Sequence, residues 1–138
     1  MIIKQEYPPI YERAKEIFDI DDNSTIYTYG EFLYNPAGIT ITNDLVAHES
    51  IHMEQQKAIG GADIWWDKYF IDEDFRFSQE AEAYHAQYAY YCMIQKDRNK
   101  QAKYLWKIAQ YLSGPTYKVG ITHGDALKII RDNKLSRV

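Results

Sequence analysis

Two histidines four residues apart, with a glutamate directly after the first, stand at His48-Glu49-Ser50-Ile51-His52. On an α-helix, positions i and i+4 lie one turn apart on one face. Both imidazoles can then reach a single zinc ion, at about 2.0–2.1 Å from each nitrogen. Glu49 falls roughly 100° further round the helix, beside the metal rather than on it. There a carboxylate can hold a water next to the ion and take its proton. Leu45, Val46 and Ile51 around the motif are apolar. His48, Glu49, His52 and Gln55 therefore lie on or beside a partly buried stripe, where polar groups are costly unless they are used.

A catalytic zinc takes three protein ligands and keeps a fourth position open. No further histidine follows closely, since the chain runs on as MEQQKAIGG, and Cys92 lies towards the far end of its expected helix. The start of that helix, Ser78-Gln79-Glu80-Ala81-Glu82-Ala83-Tyr84, offers two carboxylates. Helical spacing groups Glu80 with Ala83, Tyr84, Gln87 and Tyr91 and turns Glu82 about 200° away. Only one of the two can face the histidines. Glu80 is the expected ligand, with Ala83 small enough to let the helices approach. Glu82 is expected to serve the dipole of its helix N-terminus or to support a ligand from behind.

His48-Glu49-Ser50-Ile51-His52 followed by Glu80-Ala81-Glu82-Ala83-Tyr84 on a second helix resembles the gluzincin class of zinc metallopeptidases. The compact form without a large C-terminal domain looks like a minigluzincin, a kind that includes small phage- and bacterium-associated peptidases. The resemblance covers roughly residues 25–91. It implies a zincin-like fold, a zinc cofactor held by His48, His52 and Glu80, and Glu49 as the general base that cleaves amide bonds of a peptide or protein substrate. It also implies an edge strand beside the cleft, at 38–42 or 25–29. The family often places Asp or Asn four residues after the third ligand, to support a histidine. Here that position is Tyr84, whose hydroxyl is the expected acceptor for an imidazole N–H. Tyr117 and His123 are the candidates to donate to the developing oxyanion, because such groups often come from downstream segments.

Two other readings belong beside this one. Glu49-x-x-His52 and Glu82-x-x-His85 also form two Glu-x-x-His pairs on successive helices, as in di-iron carboxylate oxidoreductases. Glu12 or Glu16, with Glu54, would complete that set, Glu82 would touch the metal and His48 would be idle. The third reading is a binding module that keeps zinc without turnover.

The elements that must position these residues follow from periodicity and punctuation. Residues 2–6 read as a strand, and Pro8-Pro9 opens a helix over 9–19. Asp21 to Ser24 form a turn. Strands are expected at 25–29, 31–34 and 38–42, broken by Gly30 and Asn35-Pro36. Asn43 caps a helix over 44–59 that stops at Gly60-Gly61. Residues 61–77 read as irregular and aromatic, with room for a short helix. Ser78 is the expected N-cap of a helix over 79–97. A helix over 99–112 carries Leu105, Ile108, Ala109 and Leu112 at core spacing. Thr122 and Asp125 form a capping box for a last helix over 123–132, with Leu127 and Ile130 buried. A β-rich segment followed by helices is α+β: a small twisted antiparallel or mixed sheet on an active-site helix, with three to four further helices.

Composition agrees with one domain of 138 residues. The net charge of −4 and pI near 5.5 speak against nucleic acid or an anionic membrane as partner. The single cysteine excludes an internal disulfide framework and fits a reducing, cytoplasmic setting. No signal-like or membrane-spanning stretch is read, and the oligomeric state is left open. Aromatic content is the outlier, at 15% with 13 tyrosines. Tyr27, Tyr29 and Tyr34 are expected near the cleft, and Tyr84, Tyr88 and Tyr91 on the face of Glu80.

Overall fold

A stripe of Trp65, Trp66, Tyr69 and Phe70, at helical spacing, is buried against the N-terminal third of the chain. In the computed structural model, which describes residues 1–135, the elements run β1 (Ile2–Lys4), α1 (Tyr11–Ile17), β2 (Tyr27–Tyr29), β3 (Phe32–Tyr34), α2 (Asn43–Ile59), α3 (Ala62–Ile71), α4 (Glu73–Ile94), α5 (Arg98–Ser113) and α6 (His123–Asp132). The fold is α+β, with six helices and one mixed sheet of order β1-β3-β2 among the described residues. β2 and β3 form an antiparallel hairpin whose two-residue turn uses Gly30 at φ 64°, a conformation glycine adopts freely. β1 lies parallel to β3, pairing Ile3 with Leu33.

The segment 38–42, expected to be a strand, joins no sheet. Its backbone is claimed locally: the Asn35 side chain accepts from Ile39 N at 3.0 Å and donates to Ile39 O at 2.8 Å. Those groups cannot also enter a ladder.

Residues 61–77 are not irregular either, being all of α3 and the first turn of α4. Aromatic residues are only moderate helix formers, but burial of one face outweighs propensity. The break between α3 and α4 is Asp72, which accepts from Phe75 N and so caps α4. Ser78 sits inside α4 and donates to Phe75 O instead of capping. α4 ends at Ile94, short of 97, because Asp97 caps α5. α2 starts at Asn43 with Thr42 in the cap position, and Gly60 at φ 110° ends it. Thr122 caps α6 as expected, but Ile129 and Ile130 face inward while Leu127 is half-buried.

Two apolar clusters result. One joins α4, α5 and α6 through Phe77, Ala81, Leu105, Ile108, Leu112 and Ile130. The other is largely aromatic and joins α1, the hairpin and α3 through Phe18, Tyr27, Tyr34, Trp65 and Trp66. α2 packs on α4, α3 and β2 between them. No helix among the described residues is long and apolar enough to cross a membrane.

Candidate metal centre

α2 and α4 lie side by side, and their facing stripes hold the polar residues that periodicity placed there. His48, Glu49, His52 and Glu80 expose only 3–7% of their surface. His48 Nε2 and His52 Nε2 stand 3.1 Å apart, and Glu80 Oε1 lies 3.2 Å from the first and 2.9 Å from the second. Among the described residues this is the one group of three such side chains close enough to share an ion. Ligand atoms around a tetrahedral zinc with bonds of 2.0–2.1 Å lie about 3.3 Å apart. The three atoms therefore fit such an ion after movements of a few tenths of an ångström, and two imidazoles with a carboxylate suit it chemically.

The site's electrostatics have the same origin. Burial alone would lower the His52 pKa, but the Glu80 carboxylate, by charge and hydrogen bond, outweighs it and pushes the value up to about 9. Burial would likewise raise Glu80, yet His52 and His48 hold it well below the usual carboxylate range. Both shifts favour a proton on His52 facing Glu80 at neutral pH, which a metal bound there would replace. Tyr69 donates to Glu80 Oε2 at 2.5 Å. Burial and the Glu80 charge raise Tyr69 far above the ordinary tyrosine range, so it stays a neutral donor.

Glu49 lines the same cleft as His48, His52 and Glu80, and its charge acts on His52. Its Oε2 accepts from Thr28 Oγ1 at 2.6 Å, a residue the sequence did not single out. Thr28 is held in turn, because its carbonyl accepts from Gln56 Nε2 at 2.8 Å and Trp66 Nε1 at 2.9 Å. Gln56 also accepts from Gly30 N, which clamps the hairpin to α2. Strand alternation could have shown that Thr28 faces opposite to Tyr27 and Tyr29, but not that it meets Glu49.

The histidines' other nitrogens meet glutamines: His48 Nδ1 contacts Gln87 Oε1 at 2.9 Å, and His52 Nδ1 contacts Gln55 Oε1 at 2.8 Å. Both glutamines lay on expected stripes without an assigned role. Tyr84 does not take the place expected of it. Its ring lies edge-on to His48 at 4.5 Å, and its hydroxyl pairs with Tyr117 at 2.6 Å. Glu82 does not join the ligand cluster; it accepts from Gln55 Nε2 at 2.9 Å.

The site forms the floor of a cleft of about 380 Å³, walled by Phe18, Tyr27, Ile39, Trp66, Tyr111 and Tyr117 among others. The Tyr27 hydroxyl is buried there with no hydrogen-bond partner. Burial and the Glu80 charge raise Tyr84 and Tyr117 well above their ordinary range. His123 is not among the residues lining the cleft; it packs on Trp106 and bonds the Trp106 carbonyl at 2.9 Å. Tyr29 bonds Asp63, and Tyr91 stacks on Tyr104 at 3.8 Å. The second Glu-x-x-His pair is not brought to the first: His85 Nδ1 contacts Ile130 O, and Glu12, Glu16 and Glu54 are exposed. No family model, curated protein or solved structure matches this chain.

Proposed function

We propose that the chain is a zinc-dependent peptidase of the gluzincin type, with a zincin-like active-site helix beside a small sheet. The carrying observation is the convergence of His48 Nε2, His52 Nε2 and Glu80 Oε1 on the floor of a cleft, with Glu49 next to them. These three residues would hold the ion. When bound, it supplies Lewis acidity, acidifying a water and polarising the substrate carbonyl. Glu49 takes a proton at Oε1, its Oε2 being occupied by Thr28, and passes it to the nitrogen of the breaking C–N bond. With Tyr84 as the donor of their pair, Tyr117 is a neutral O–H donor for the oxygen that gains charge. The apolar walls reduce water around the reacting groups. A cytoplasmic setting belongs to the same reading, supported by the free thiol of Cys92.

The test pairs elemental analysis with Glu49→Gln. Wild type is expected to carry about one zinc and to cleave quenched fluorescent peptides. Glu49→Gln is expected to keep zinc and lose roughly 10²–10⁴-fold in kcat. Equal turnover in the variant, stoichiometric iron in place of zinc, or no metal at all would overturn this reading. Tight zinc in a wild type with no hydrolysis would point to a binding module instead.

A further inference from the structure

A histidine that binds a metal through Nε2 must carry its proton on Nδ1. A carboxylate partner accepts that proton whichever way it is turned. An amide does not, because its oxygen accepts, its nitrogen donates, and the two ends have nearly the same shape. Here both histidines are backed by glutamines, so each amide must itself be oriented.

For His48, the orientation can be traced from the far end. Burial raises Asp44, but hydrogen bonds from Thr42, Tyr104 and backbone N–H groups outweigh it and hold the carboxyl below its ordinary range. As a carboxylate, Asp44 only accepts. The single hydroxyl proton of Tyr104 therefore goes to Asp44 Oδ2, at 2.5 Å. The Tyr104 oxygen can then only accept from Gln87, which must present Nε2, at 2.8 Å. That turns Gln87 Oε1 towards His48 Nδ1, at 2.9 Å, so Nδ1 carries the proton and Nε2 keeps its lone pair. For His52, Gln55 Nε2 donates to the Gln79 carbonyl at 3.0 Å and to Glu82 Oε1 at 2.9 Å. A main-chain carbonyl only accepts, so Gln55 Oε1 faces His52 Nδ1, at 2.8 Å.

We propose that these two directional hydrogen-bond chains, ending at Asp44 and at the Gln79 carbonyl, fix both histidines in the tautomer that offers Nε2 to a metal. Tyr104 and Asp44 are thereby positioning residues for a centre they do not touch. The inference rests on the metal-site reading above. It differs from general support by packing, because what is transmitted is the direction of each donor. The same logic distinguishes the two ends. The Gln79 carbonyl alone suffices to orient Gln55, whereas Gln87 depends wholly on the Tyr104 hydroxyl.

The test is zinc affinity, measured by competition with a chromophoric chelator. Tyr104→Phe keeps the ring that stacks on Tyr91 and removes only the oxygen. It is expected to weaken zinc binding about 10- to 100-fold. Tyr104→Phe combined with Gln87→Glu is expected to bind within about threefold of Gln87→Glu alone, because a carboxylate needs no orienting partner. Glu82→Gln is expected to bind within about threefold of wild type. Wild-type affinity in Tyr104→Phe, or a loss that Gln87→Glu does not repair, overturns the proposal. Should Tyr104→Phe fail to fold, Gln87→Met, which removes the acceptor outright, must show the same loss, and unchanged affinity there overturns it too. A wild type that binds no divalent metal removes the metal-site reading, and this inference with it.

Discussion

Thr28 Oγ1 donates to one oxygen of Glu49, and in the proposed mechanism the other oxygen carries the proton. Thr28→Val keeps the side-chain shape and removes this donor. A hydrogen bond to a charged group contributes about 1.5–3 kcal/mol, so kcat is expected to fall roughly 10- to 100-fold. Zinc content is expected to stay the same, and steady-state kinetics with metal analysis read both. An unchanged kcat would mean that Glu49 needs no such support. A second residue-scale expectation concerns His52. Its pKa in the fold, about 9, lies above its ordinary value of 6.5, and Glu80 is held below its ordinary value of 4.5, so the pair stabilises the metal-free protein fully between about pH 4.5 and 6.5. That contribution disappears as the pH rises through about 9. Zinc must displace the same proton, so its apparent affinity is expected to rise about tenfold per pH unit from about pH 7 and to level off above about 9. Chelator competition across that range measures it, and a flat profile would show that no such proton is held.

At the scale of elements, Arg76 ties three segments together. Its guanidinium donates to the Tyr69, Tyr117 and Lys118 carbonyls at 2.8, 2.6 and 3.1 Å. It thereby joins α3, α4 and the segment after α5 that carries Tyr117, and it holds Lys118 at φ 54°. Arg76→Met keeps the stem and removes the donors to all three carbonyls, of which the bond to Tyr69 is buried and the other two are part-buried. The expected cost is about 3 kcal/mol or more in urea unfolding. Arg76→Lys restores only part of it, since one ammonium cannot span a fork. Equal stability in all three proteins would contradict this role. The same scale shows which elements periodicity reveals. α5 was legible because Leu105, Ile108, Ala109 and Leu112 repeat with the helical period on one face. α3 was not, because Trp65, Trp66, Tyr69 and Phe70 read as an aromatic patch until the hairpin and α1 cover them. Segment 38–42 has a strand-like composition, but the Asn35 side chain captures its backbone.

Over the whole molecule, the two apolar clusters meet at the cleft, and none of the three ligand side chains belongs to either. The metal-free chain is therefore expected to keep its helical circular dichroism after chelation. At a free zinc concentration of 100 times Kd, the bound ion adds about 2.7 kcal/mol, or roughly 10 °C in Tm. Calorimetry with and without chelator measures the difference. An identical Tm would show that no metal is bound, and loss of the helical signal would show that the ion, rather than the clusters, holds the fold.

The sequence by itself determined the helix of His48, Glu49 and His52 and the second helix with Glu80. Each follows from helical period alone, which is a local property. Tertiary structure alone decided the partners: Thr28 on Glu49, Gln87 and Gln55 behind the histidines, Tyr69 on Glu80, and Tyr84 on Tyr117 rather than on an imidazole. Those contacts join residues that are far apart along the chain, apart from the local pair of His52 and Gln55. For His48 the hydrogen-bond direction is set through Gln87 and Tyr104 at Asp44, and no periodicity encodes that.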